Sequence, residues 1–456
     1  MHNIMRQTNR LESIHLHQIG IFDDIRIDFK PIESTEQDVK KAEIHLFTGA
    51  NGCGKSTILY TISDIFREIF KLAFSLNRYH NKNSHVDFLF YGKAGIQSLK
   101  QLDNTNIYGN FSYLNIDPNK CFGYNDSWFS DLISYKNKTG DYNLEHQDQM
   151  GTFSFAVFAY SGQRTLKRID LVDGIKAISA SPFEDALSFD QSIRPQILLQ
   201  WIANNRAQSA LAKADGDFSA VAIYDQALAR ITQLIRDICD LEVEFRLERS
   251  PLAVKLRINN DNIPFDGLPD GLKSIISWVA DLSLRLEAIP WEQEGDIFSQ
   301  PIILLLDEID IHLHPKWQRR ILPAVQKLLP NAQIFASTHS PFVVGSVEDA
   351  WVYRLPDPKN GHTSGVIEGI HSGAGKSYQL ILEEVFGLDE EFDVETEKLF
   401  DTFYQARDFT LKTQTAIDTL RTAAQALAAR GEETRMVVTR ELRQVSRLIG
   451  QEVSLA

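Results

Sequence analysis

Cysteine is scarce: Cys53, Cys121 and Cys239 are the only three in 456 residues. So odd and scattered a set suits neither a disulfide framework nor a zinc-ligand spacing, and a reducing cytoplasm is the expected setting. Long apolar runs are missing as well. The run from Ile302 to Leu306 is far shorter than the ~20 residues a membrane helix needs, so no membrane association is expected. The opening stretch, Met1-His2-Asn3-Ile4-Met5-Arg6-Gln7, lacks the apolar core of a signal peptide. Positive charge is in deficit. With 47 Lys and Arg against 61 Asp and Glu, the net charge is −14, which argues against a chain coated with a nucleic-acid-binding surface. A local basic patch, or a partner that handles nucleic acid, stays open. After Tyr378 there is no proline, and only Gly387, Gly431 and Gly450 interrupt what reads as helix to the end.

What the chain does carry is concentrated in residues 49–57. Gly49-Ala50-Asn51-Gly52-Cys53-Gly54-Lys55-Ser56-Thr57 matches the phosphate-binding pattern G-x-x-x-x-G-K-[ST] at every fixed position. Glu43–Thr48 before it reads as a short apolar strand, and Ile58, Ile62, Ile65, Phe66 and Ile69 recur after it at helical spacing. Three glycines let backbone amides turn inward without a Cβ clash, and a helix N-terminus adds positive potential. Lys55 is placed to reach β- and γ-phosphates, and the Ser56 hydroxyl to ligate Mg²⁺. Cys53 occupies a variable position of the loop as a small filler.

In chain order, residues 11–29 read as two strands joined near Gly20, with Phe22 a core aromatic rather than a base-stacking one. Residues 33–41 form a polar loop. Residues 75–150 read as short strands (85–90 and 108–116) and loops, in which His80 and His85 are solvated rather than metal-bound. Residues 151–160 suggest an alternating apolar strand, and Gln163 just beyond it could reach Mg²⁺ or the attacking water. Residues 187–243 are helical by periodicity, and 242–259 form a hairpin around Ser250-Pro251. Leu268-Pro269-Asp270-Gly271 precedes an apolar helix and offers amides at its start, a second surface for phosphate. Ile302 to Leu306 reads as a parallel strand buried on both faces, ending in Asp307 and Glu308. Asp307 suits a Mg²⁺ shell and Glu308 the polarisation of water. His312 and His314 lack a third metal partner, and Pro315 opens a helix. A further strand, residues 333–337, ends near His339, which could touch the γ-phosphate. Residues 350–355 and 365–370 are expected to close the sheet. Residues 371–377 imitate a second phosphate loop but place Ile370 where the pattern needs glycine. In the tail, Ile417, Leu420, Ala424 and Leu427 suit a helix pair or partner contact, and Arg440, Arg443 and Arg447 share one face.

The order of these motifs resembles the ABC-type ATPase heads, which include DNA-repair, chromosome-maintenance and OLD-type enzymes. Asp307 to Pro315 and Ala336 to Pro341 look like the compact AAA_21 branch. The likeness spans roughly residues 11–370, and no long coiled coil separates the halves. It implies an α/β P-loop fold of the ABC-ATPase-head type with a helical insertion and a C-terminal helical tail. Residues 1–165 would form lobe I with Walker A and Q-loop, and 166–250 the insertion. Residues 251–370 would be lobe II with signature, Walker B and H-loop, and 371–456 an oligomerisation or partner-binding region. By the same resemblance, Gly49, Asn51, Gly52, Cys53, Gly54, Lys55, Ser56 and Thr57 bind ATP, and Ser56, Asp307 and Gln163 hold Mg²⁺. Gln163 is the Q-loop glutamine, Glu308 the catalytic base and His339 the switch histidine, while Leu313 to Pro315 lie in the D-loop. Leu268, Asp270 and Gly271 form the signature, completing the nucleotide site of a second copy in a head-to-tail homodimer. One departure stands out: the family's signature serine is replaced by Pro269, which has neither a hydroxyl nor a backbone N–H, so hydrolysis is expected to be slow. The compact head and helical tail further resemble ATPases of bacterial anti-phage systems, the Septu type first and the PARIS type second. That resemblance implies a separate nuclease subunit, of the HNH kind in the Septu case, with nucleic acid a possible partner through the complex. The alternatives are a DNA-repair or chromosome-associated ATPase that binds DNA itself, and a nucleotide-gated scaffold with little turnover.

Overall fold

The computed structural model describes residues 9–32, 41–66, 85–91, 135, 138–139, 151–162, 174–189, 191–357, 359, 364–372, 376–388, 390–413 and 415–455. Gln163, Cys121, His80, Ile69 and the expected strand at 108–116 lie outside the described residues.

The chain opens with strands β1 (Arg10–Ile19) and β2 (Phe22–Asp28). Strand β3 (Glu43–Thr48) runs through the glycine loop into helix α1 (Lys55–Phe66), and β4 (His85–Tyr91) and β5 (Ala156–Tyr160) follow. Helix α2 (Pro195–Asp215) starts on a proline at its first turn and stops at Gly216, whose φ of 77° is the left-handed cap that glycine takes without strain. Helix α3 (Phe218–Cys239) leads to a meander of β6 (Val243–Arg249), β7 (Leu252–Ile258) and β8 (Asp261–Pro264). Then come α4 (Asp270–Ala288), β9 (Ile302–Leu306), α5 (Pro315–Leu328) and β10 (Ala332–Ser337). Strands β11 (Trp351–Arg354), β12 (Ser364–Ile367) and β13 (Ile370–His371) complete the sheets.

The main sheet has the order β13-β11-β3-β10-β9-β5, parallel except for the edge strand β13. Every residue of β3, β5, β9 and β10 is buried, as a parallel sheet covered on both faces requires. Withdrawing Ile303, Leu304 and Leu305 from water stabilises the fold by about 1.5–3 kcal/mol each. Two expectations need correction. Within 151–160 only Ala156–Tyr160 is strand, and it is buried throughout rather than alternating; Phe153 makes just an isolated bridge with Trp291. The stretch 365–370 does not all join the main sheet, since β12 pairs in parallel with β2 and only Ile370 continues into β13. A second sheet therefore runs β12-β2-β1-β4, with β1 antiparallel to both β2 and β4.

A buried polar cluster crosses β3. The Glu43 carboxylate pairs with Arg10, accepts from Gln333 Nε2 at 2.9 Å and lies 2.7 Å from His45 Nε2, while His45 Nδ1 meets the Tyr353 hydroxyl at 3.1 Å.

The chain divides into residues 1–381 and 382–456. In the second unit, α6 (Val394–Thr413), α7 (Ile417–Ala428) and α8 (Glu432–Ile449) surround a core of Phe400, Phe403, Leu420, Leu427, Val438 and Leu442. Leu420, Ala424 and Leu427 are thus spent on the unit's own core, and Arg440, Arg443 and Arg447 are exposed.

Candidate functional site

Because β3, β10, β9 and β5 are parallel and paired in register, their C-terminal ends meet at one edge of the sheet, the usual place for ligands in such sheets. The glycine loop leaves β3 there, Ser161 and Gly162 leave β5, Asp307 and Glu308 leave β9, and Thr338 and His339 leave β10.

In the loop, Gly49, Gly52 and Gly54 have φ of 145°, 81° and 92°, conformations that side chains other than glycine's rarely tolerate. A Cβ on Gly52 would meet nothing within 4 Å, so that backbone faces open space, as a phosphate cradle must. A Cβ on Gly54 would sit 2.4 Å from the Phe22 ring; buried Phe22 wedges the loop from behind and is not a base-stacking surface. Lys55 is buried, and its ammonium donates to the carbonyls of Gly49 and Ala50, 3.0 Å each. Asn51 is exposed, Ser56 is half-buried on the first turn of α1, and Thr57 packs under Gly20. Burial pushes the Cys53 thiol up against the pull of Lys55, which leaves it a neutral filler.

Ser337, the last residue of β10, organises the acidic pair. Its hydroxyl donates to Asp307 Oδ1 at 2.5 Å and accepts the Glu308 backbone N–H at 2.7 Å. The Asp307 N–H is tied to the Tyr160 carbonyl at 2.9 Å. Glu308 has φ of 48°, a left-handed conformation that costs a non-glycine residue energy and is common where function dictates geometry. Its carboxylate approaches Gly162 so closely that a Cβ there would lie 2.5 Å from Oε2. His339 is exposed, and its backbone N–H faces the Asp310 carboxylate at 3.4 Å. Partial burial and the Lys55 charge hold its imidazole below the ordinary histidine range, against Asp310, Glu308 and Asp307. The same set of influences shows that Lys55, both acids and His339 share one electrostatic neighbourhood.

The signature-like turn seats on the segment that follows Glu308. Leu268 and Gly271 are buried, and a Cβ on Gly271 would lie 2.6 Å from the His312 carbonyl and 3.3 Å from Leu313. Pro269 and Asp270 are exposed, and the Pro269 carbonyl accepts from the N–H groups of Leu272 and Lys273 at 3.0 Å. His314 caps α5, accepting from the Lys316 N–H through Nδ1, so its role is a helix cap. Three contributors escaped the sequence reading: Ser337, Asp310 and Gly162. For Ser337 the signal lies in strand register, which places it beside Asp307.

No helix among the described residues is long and apolar enough to cross a membrane. Residues 44–345 match the family model AAA_21, described as "AAA domain, putative AbiEii toxin, Type IV TA system". The chain is 25% identical over 396 residues to "Retron Vc95 probable ATPase" of Vibrio cholerae serotype O1 biovar El Tor, covering 76% of this chain and 74% of that one. It is 33% identical over 169 residues to "Septu protein PtuA" of Bacillus thuringiensis, covering 34% of this chain and 40% of that one. The SMC head domain from Thermotoga maritima overlaps it with a TM-score of 0.37 and 14% identity, over 79% of this chain and 99% of that one. With its glycine loop, its acidic strand end and its histidine strand all inside the matched span, the chain belongs to the AAA_21 family of P-loop ATPases.

Proposed function

We propose that this chain is a magnesium-dependent ABC-type ATPase that senses and regulates a separate nuclease in bacterial anti-phage defence. The observation that carries the ATPase reading is the convergence of Lys55, Asp307, Glu308 and His339 at one sheet edge. The residues fit a magnesium nucleotide, since Gly52 opens onto free space and Lys55 is held on the loop's own carbonyls. Magnesium-ATP, when bound, supplies a cleavable phosphoanhydride and a cation that neutralises its charge. Lys55 and the amides of residues 49–57 would hold the phosphates; Ser56 and Asp307, with Gln163, would hold the ion. Glu308 takes the proton of the attacking water, and Gly162 leaves its carboxylate room. His339, kept neutral, offers a hydrogen bond at the γ-phosphate end.

Leu268, Asp270 and Gly271 are assigned to the nucleotide of a second copy in a head-to-tail dimer. Exposed Pro269 and Asp270 at the start of α4 suit that contact. Likeness to a retron ATPase and a Septu protein supports the defence setting, with an HNH nuclease as the partner that cuts, in the cytoplasm. The net charge of −14 supports nucleic acid being engaged through that partner. Pro269, lacking a hydroxyl and an N–H, favours a second reading in which nucleotide gates assembly with little turnover.

ATP binding and turnover of Glu308→Gln test the assignment. We expect binding to persist and turnover to fall by ~10²-fold or more, with Lys55→Ala losing binding. Turnover equal to wild type would remove Glu308 as the base. ATP-dependent assembly without measurable wild-type turnover would select the scaffold.

A further inference from the structure

We infer that His15, His17 and Asp87 form a transition-metal site on the outward face of the β12-β2-β1-β4 sheet, suited to zinc, with Asp24 as the carboxylate that orients the imidazoles. The inference does not depend on the ATPase reading. It begins with strand alternation. Ile14 and Leu16 are fully buried, so His15 and His17, two apart, both project from the opposite face of β1. Pairing then delivers an acid from each side. His15 stands opposite Asp87 of β4, and His17 opposite Asp24 of β2.

The distances are those of a ligand set. One potential ligand atom from each of His15, His17 and Asp87 lies within 4.8 Å of the other two. His17 Nε2 is 3.3 Å from Asp87 Oδ2, and the two imidazole centroids are 3.9 Å apart. A tetrahedral zinc ion with bonds of ~2.0–2.1 Å keeps its ligand atoms roughly 3.4 Å apart, so small side-chain adjustments would enclose it. Two imidazoles and a carboxylate favour zinc or a neighbouring transition metal over Mg²⁺ or Ca²⁺, which prefer all-oxygen shells. Asp24 contacts His15 Nε2 and lies 3.7 Å from His17 Nδ1, the outer-carboxylate arrangement that fixes the orientation of metal-bound histidines. All four side chains are reachable from solvent: His15 is 34% exposed, His17 22%, Asp24 57% and Asp87 16%.

An ion here would fasten β1 to β4. The turn between β1 and β2 is the part of this sheet that braces the phosphate loop, with Gly20 against Thr57, and Ile21 and Phe22 against Gly54. The site would thus stiffen the support of the nucleotide loop from outside it.

The test uses the full chain, stripped with a chelator and free of nucleotide and Mg²⁺, titrated with Zn²⁺ by calorimetry and with Co²⁺ as a spectroscopic probe. We expect one zinc per chain, visible Co²⁺ bands of tetrahedral intensity and a higher unfolding temperature with zinc. His15→Gln and His17→Gln, which keep size and polarity, should lose stoichiometric uptake while retaining the wild-type circular dichroism spectrum. Asp24→Asn should weaken binding by ~10-fold or more. If either glutamine variant misfolds, Asp87→Asn serves in its place and should lose uptake too. A wild-type chain that takes up no stoichiometric zinc, or folded ligand variants that bind as the wild type does, would overturn the site and leave simple histidine–aspartate pairing across the sheet.

Discussion

Glu43 and His45 are titratable residues on a fully buried strand, one strand length ahead of the phosphate loop. Burial pushes the Glu43 carboxyl up, but the hydrogen bond with His45 and the Arg10 charge overcome it, and the group ends below the usual carboxylate range. Burial pulls His45 below the usual histidine range, with Glu43 acting in the opposite direction. Both shifts have the same consequence for stability. Below the ordinary histidine value of about 6.5, and then below the ordinary carboxylate value of about 4.3, the unfolded chain takes up protons that the folded chain resists. Stability from this pair is therefore complete above the histidine range and is lost as pH falls. The expected result is a urea midpoint that declines from about pH 7 to about pH 5, with a shallower decline in His45→Gln, which can still hydrogen-bond but cannot titrate. Identical slopes for the two proteins would remove His45 as a source of the pH dependence.

Helix α4 carries the signature-like turn at its start and a buried ion pair along its length. Asp281 and Arg285, four apart and both fully buried, are joined at 2.6 Å, and the Tyr160 hydroxyl donates to the same carboxylate oxygen at 3.0 Å. Arg285 also donates to the carbonyls of Pro182, Glu184 and Ser192 at 2.6–2.8 Å. Tyr160 ends β5, two residues before Gly162, so this network links α4 to the strand that passes Glu308. Asp281→Ala strands the guanidinium in the core and should cost about 3–5 kcal/mol in chemical denaturation. Asp281→Leu combined with Arg285→Met should cost clearly less, because no buried charge is left without a partner. A double variant no better than the single would show that the lost hydrogen bonds to Pro182, Glu184, Ser192 and Tyr160, not the unpaired charge, set the cost. Much of this element-level layout was legible beforehand. The glycine loop, the apolar run into Asp307 and the 242–259 hairpin are local patterns whose meaning needs no distant partner. What escaped depends on pairing between remote segments. An edge strand such as 364–367 carries little in its own residues to choose between two sheets, and β12 joined β2. Ser337 reads as an ordinary strand end until β10 is set beside β9. His15 and His17 read as polar strand positions until β4 brings Asp87 across from them.

At the scale of the whole molecule, every residue assigned to the nucleotide falls between 49 and 339, while residues 382–456 hold a separate core. Phe403, Leu420, Ala424 and Leu427 are fully buried there, so these apolar positions are committed to the unit's own core. Its solvent-facing side keeps Arg440, Arg443 and Arg447, with Met436 and Leu448 largely exposed on the same helix. A carboxylate placed at Leu420 would be buried without a partner, the kind of change that unfolds a small helical unit outright. Leu420→Asp should remove the helical signal of α6 to α8. If the two units are energetically independent, ATP affinity should shift by no more than ~0.5 kcal/mol, about twofold. Circular dichroism and ATP titration on the same preparation read both quantities. A fall in ATP affinity alongside the helical signal would mean that the tail supports the nucleotide site. Retained affinity would show that nucleotide binding does not need the tail, and under the proposed function the variant would then bind and hydrolyse ATP yet lose control of its nuclease.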